Sequence, residues 1–118
     1  MDNIEFIKAV KTCVRDESIF GIVDNLLDPP GRNANAELVT LSNWYNSLDS
    51  DSKSLIKQLV EVSVDHALFG ILCVLDGVRS IESNGQKGDL RLEYHSGEKK
   101  VLLNDFNEES LHDLYNEK

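Results

Sequence analysis

Between Ser52 and Val78 the chain passes from mixed polar and apolar positions into almost continuous apolar sequence. In the first half, Leu55, Ile56, Leu59 and Val60 stand among Lys53, Lys57, Gln58 and Glu61. That spacing predicts a helix with one buried face. In the second half, the run Ala67-Leu68-Phe69-Gly70-Ile71-Leu72-Cys73-Val74-Leu75 has no polar face. The expectation is a long central helix whose second half other elements wrap on every side. The uninterrupted run is nine residues, well under the roughly 20 a membrane span needs. It therefore reads as a core helix.

Upstream, Ile4, Ile7, Val10 and Val14 recur at spacings of three and four, with Phe6 and Cys13 widening the stripe, which predicts a helix over Asn3 to Asp16. Asp2 or Asn3 caps its start, and Lys8, Lys11 and Arg15 suit its carboxyl end. A second helix is expected over Ser18 to Leu27, built on Ile19, Phe20, Ile22, Val23, Leu26 and Leu27. It stops at Asp28-Pro29-Pro30-Gly31, where the prolines supply no backbone donor. Asn35 is a plausible cap for a third helix from Ala36, directing Leu38, Leu41, Trp44, Tyr45 and Leu48 inward. Asp49-Ser50-Asp51 breaks that helix and caps the central one.

After Gly77 the period changes. A short strand is expected at Val78 to Glu82, a turn at Ser83 to Gly88, and a strand at Asp89 to His95, where Leu90, Leu92 and Tyr94 alternate with polar residues. Ser96-Gly97-Glu98 turns the chain into a returning strand at Lys99 to Leu103. A final helix is expected from about Asn107, with Leu111, Leu114 and Tyr115 inward. The fold class is α+β: helices around a long central one, a two- or three-stranded antiparallel sheet, and a final helix. With 118 residues and no internal boundary, a single domain over 1–118 is expected.

The amino terminus lacks a basic stretch before an apolar one, so no signal peptide is read there. With only two cysteines, expected as small core side chains, this points to the cytoplasm. The formal charge is -9, and it is uneven. Asp16, Glu17, Asp24, Asp28, Glu37, Asp49 and Asp51 face Arg32 alone in one stretch. Asp105, Glu108, Glu109, Asp113 and Glu117 face only Lys118 in another. Such a surface repels nucleic acid and anionic membrane and attracts a basic protein.

Motifs for catalysis or cofactors are missing. Glu61 and Asp65 sit one turn apart, but no HExxH or DxDxDG-type pattern completes a metal site. Asn84-Gly85-Gln86-Lys87-Gly88 is not a phosphate loop. His66 is expected to be a buried, hydrogen-bonded histidine, and Asp76 to close the central helix with Gly77. An enzyme is disfavoured, and no cofactor is expected. Arg32 is the lone base of an acidic region, with Trp44 and Tyr45 on the next helix. An outward aromatic there is an anchor inside an acidic rim, as in a protein-binding face.

The segments Trp44-Tyr45, His66 to Val78 and Leu111-His112-Asp113-Leu114-Tyr115 resemble small uncharacterised bacterial proteins, some of them similar to immunity proteins. The resemblance implies an interaction protein and carries no site residues with it. The expected function is stoichiometric inhibition of a basic protein, such as a cationic toxin. Asp24, Asp28, Arg32, Asp49 and Asp51 around Trp44 or Tyr45 form the expected contact face. Glu108, Glu109 and Asp113 form an alternative one. The rivals are a homodimeric structural or regulatory module and a small hydrolase or metal-dependent enzyme.

Overall fold

The computed structural model describes residues 1–83, 85 and 88–118. Asn84, Gln86 and Lys87, at the centre of the turn expected from Ser83 to Gly88, lie outside the described residues. In chain order come α1 (Asn3–Ala9), a π-helical stretch (Val10–Asp16), α2 (Glu17–Leu27), α3 (Ala36–Asn46), α4 (Ser50–Leu75), β1 (Glu93–Ser96), β2 (Lys99–Leu102) and α5 (Leu111–Asn116). The class is α+β, with the long central helix, a two-stranded antiparallel sheet and the terminal helix. Two compact units divide the chain. One comprises Met1–Val14 with His66–Lys118, and the other Arg15–Asp65.

In the first unit, Ile7, Leu72, Leu111, Leu114 and Tyr115 form the core, and Phe6, Val10, Leu68, Phe69, Leu75 and Leu92 pack on it. α1 starts where Asp2 accepts from the Glu5 amide at 2.8 Å while the Glu5 carboxylate accepts from the Asp2 amide at 3.1 Å. This reciprocal arrangement satisfies two donors that a helix start otherwise leaves orphaned. α4 ends at Leu75, followed by Gly77 at φ 77°, a left-handed conformation that glycine adopts without a Cβ penalty. The hairpin pairs Ser96 with Lys99 across a two-residue turn whose first residue is Gly97 at φ 60°. Asn104 ties the hairpin to α4: its side-chain amide donates to the Leu75 and Leu90 carbonyls and its oxygen accepts from the Leu92 amide.

In the second unit, α2 packs against α3 around Ile19, Leu26 and Tyr45. Asn35 caps α3 as expected, accepting from the Glu37 and Leu38 amides. The last carbonyls of α2 have no partner within their own helix. Buried Ser42 donates to the Leu26 carbonyl at 2.7 Å, and the Asn46 side chain reaches both Leu26 and Leu27. Asp49 accepts from the Ser52 amide at 2.7 Å at the start of α4.

Several expectations need correcting. Val78 to Glu82 forms no strand, and the hairpin is shorter than the alternation suggested: Leu90 and Leu92 precede β1. The final helix begins at Leu111, because the chain first turns at Asp105 to Glu108. Cys13 and His66 are exposed; Cys73 alone of the two cysteines is buried. In α3, Tyr45 is buried while Leu41 and Trp44 face outward.

The largest correction concerns α4. Leu55, Leu59, Val62 and Ile71 are largely exposed, while Ile56, Val60 and Val64 are half-buried. Within each unit, part of the α4 surface stays uncovered. By length and composition α4 is apolar enough to cross a membrane, and only 22% of its most apolar 18-residue window is buried.

Candidate protein-binding face

α2 places its apolar residues on two sides. Ile19 and Leu26, seven residues apart, share the buried side. Phe20 and Leu27, also seven apart, share another and are 68% and 51% exposed. Asp24 follows Phe20 by four residues and Asp16 precedes it by four, so both lie on the exposed side. Glu17 precedes Phe20 by three, and Asp28 caps the carboxyl end of the helix. Phe20 and Leu27 thus stand bare on this side among four exposed acids of α2 and its two caps, and α2 itself holds no base.

Two of these acids stand where the helix least favours them. Unpaired carbonyls gather partial negative charge at a helix carboxyl end, which prefers cations. Asp24 lies in the last turn of α2, and its carbonyl accepts from the Asp28 amide at 3.0 Å. Neither carboxylate has a hydrogen bond or ion pair among the described residues.

The expected contact residues fall in several places. Asp24 and Asp28 belong to the α2 face. Arg32 is exposed in the connection after it, beside Gly31 at φ 83°. Trp44 is 50% exposed, yet it projects from the side of α3 opposite Ser42 and Asn46, which contact α2. Asp24 likewise lies across α2 from Leu26, so Asp24 and Trp44 point away from each other. Tyr45 is 5% exposed and lies under Lys53, whose ammonium is 5.5 Å from the ring centre. Asp49 acts as a helix cap, and the Ser52 amide holds its carboxyl below the usual carboxylate range. Asp51 is exposed in the first turn of α4. The residues that sequence reasoning missed are Phe20 and Leu27, which it placed on the apolar stripe of their helix.

Beside Phe20 lies a groove of about 350 Å³ lined by Arg15, Asp16, Ile19, Phe20, Val23, Lys57 and Glu61. Arg15 at its edge is fully engaged. Its guanidinium donates to both oxygens of Asp65, at 2.6 and 3.2 Å, and to Asp16 at 2.8 Å. The bond to Asp65 raises the guanidinium pKa above its ordinary value, so the group stays charged. Asp65 is therefore an ion-pair partner of Arg15 that keeps part of its side chain in solvent.

Two polar clusters in the first unit serve the fold. Asp76, whose side chain is 5% exposed, accepts from the Leu111 and His112 amides at the start of α5 and contacts His112 Nδ1 at 2.6 Å. The His112 ring also meets Phe69 edge to face. Asp76 thus caps a helix 35 residues downstream, besides closing α4. In the alternative acidic face, the neighbouring Glu117 carboxyl raises the pKa of Glu109, and Asp113 accepts from Ser110. Among the described residues, no three His, Cys, Asp or Glu side chains gather as metal ligands. No family model, curated protein or solved structure matches this chain.

Proposed function

We propose that this chain is a protein-binding module for a basic protein, acting in its most specific form as an immunity-type inhibitor that covers a cationic toxin. The observation that carries the reading is the outer face of α2, where Phe20 and Leu27 stand exposed among Asp16, Glu17, Asp24 and Asp28. Exposed apolar centres with a charged rim suit an interface in which a few anchors supply affinity and the charges supply steering. The net charge of -9 extends that steering over the whole surface.

The test compares the wild-type chain with Glu17→Lys/Asp24→Lys/Asp28→Lys as bait in lysate of the source cell. The reading expects one basic protein retained at low salt, released at high salt and lost with the triple variant. The inhibitor form further expects that co-expression of this chain rescues growth of cells expressing that partner. Equal retention by both baits would sink the α2 face.

A second reading, self-association, is favoured by a different feature. Leu55, Leu59 and Val62 form an exposed apolar stripe on α4 at helical spacing. Sedimentation equilibrium decides it: a dimer that Leu59→Glu converts to monomer supports this reading, and a wild-type monomer at high concentration removes it.

A further inference from the structure

Resting on the basic-partner reading, we propose that the groove beside Phe20 is the anchor site of that interface. It receives one large apolar or aromatic side chain of the partner, whose flanking lysines or arginines meet the acids of α2. Ile19, which is buried, with Phe20 and Val23 gives the groove its apolar side, and Arg15, Asp16, Lys57 and Glu61 complete its lining. At about 350 Å³ the groove has room for a side chain, well beyond a single water. Such a pocket suits a ligand group that offers no polar atoms of its own.

The rim decides the sign of what flanks the anchor. Arg15 is neutralised by its bonds to Asp65 and Asp16, and Lys57 and Glu61, four residues apart on α4, bring one charge of each sign to the lining. The remaining charge around the groove comes from α2 alone, where Glu17 and Asp24 flank Phe20 without a base. An acidic or neutral segment carrying the same anchor would meet this rim unpaired or repelled. A basic segment meets it paired, and seating its apolar residue excludes water from both sets of contacts.

The probe is a pair of short fluorescein-labelled lysine-rich peptides, one with a central phenylalanine and one with alanine in its place. Each is titrated with the full chain at low and at high salt and followed by anisotropy. The phenylalanine peptide should bind roughly tenfold tighter, as expected for a buried aromatic anchor. That ratio should survive added salt while both affinities fall. Val23→Phe, which fills the groove, and Phe20→Ala, which removes a wall, should each bring the ratio to about one. Circular dichroism checks that both variants fold, and Phe20→Ala, made at an exposed position, is the safer of the two. Glu17→Lys/Asp24→Lys should weaken both peptides and leave the ratio intact. Equal binding of the two peptides to the wild-type chain, or a ratio that ignores both groove variants, would overturn the anchor site and leave the basic-partner reading standing. Failure of both peptides to bind the wild-type chain would overturn both.

Discussion

Replacing Asp24 and Asp28 by asparagine should make the protein more stable and, under the proposed function, weaken capture of a basic partner. Both carboxylates lie at the carboxyl end of α2, and neither has a hydrogen bond or ion pair among the described residues. Each anion at a helix carboxyl end costs about 0.3–1 kcal/mol at an exposed site. Their mutual repulsion at a spacing of four adds roughly 0.2–0.5 kcal/mol. The double variant should therefore gain about 1–2 kcal/mol, because asparagine keeps the shape and removes both charges. For a chain of this size that is a rise in melting temperature of about 3–10 °C. Thermal and urea melts followed by circular dichroism measure it. The gain should shrink in high salt, where the wild-type repulsion is screened. In the capture assay the same variant should retain less partner. A double variant that is less stable than wild type would refute the reasoning, since it would mean the carboxylates are engaged in the native state.

Leu111 is fully buried in the first unit, so Leu111→Ala should cost about 2–5 kcal/mol in urea melts. Leu59→Ala, on the bare side of α4, should cost under about 1 kcal/mol by the same measure. Asp76→Ala leaves two α5 amides and His112 without their acceptor and should cost about 3 kcal/mol; His112→Ala, which leaves the amide bonds in place, should cost less than half of that. Asp49 has its pKa lowered by the Ser52 amide in the folded chain. Its contribution is therefore present above the unfolded pKa of about 4 and lost as pH falls through the lower folded value. Asp49→Asn should flatten that acid limb when stability is measured between pH 5 and 2 (roughly the span over which such a group titrates), and an unchanged slope would count against the cap.

Local signals were legible in the sequence. Asn35 and the Asp49 break announced the starts of α3 and α4, and Gly97 announced the hairpin turn, because each works through its immediate neighbours. The side each residue faces was less legible. From Val10 to Asp16 the helix widens to a π form, with the Thr12 hydroxyl donating back to the Lys8 and Ala9 carbonyls. More residues per turn mean that positions three and four apart no longer share a face. Cys13 and Val14 accordingly leave the stripe begun by Ile7 and Val10. Nor does periodicity distinguish Leu55 and Leu59 from Ile56 and Val60: both pairs sit at helical spacing, and only packing decides which turns inward. The cap that Asp76 provides for α5 spans 35 residues and has no local signature.

Each component of the α2 face has an ordinary explanation when taken alone. Single exposed apolar residues are common on soluble proteins, and acidic surfaces aid solubility. Their conjunction is harder to explain that way. Solubility would be met as well by lysines at positions 24 and 28, and the partial charge at the end of α2 favours lysine there. Aspartate at both positions instead works against the helix that carries it. Phe20 and Leu27 remain exposed on the same side, where burying them would have added to the small core of Ile19, Leu26 and Tyr45. The fold thus forgoes stability twice on one face, by charge and by unburied apolar area. A basic partner with an apolar anchor offsets both terms at once, whereas solubility accounts for neither the sign of the charge nor the bare side chains between the acids.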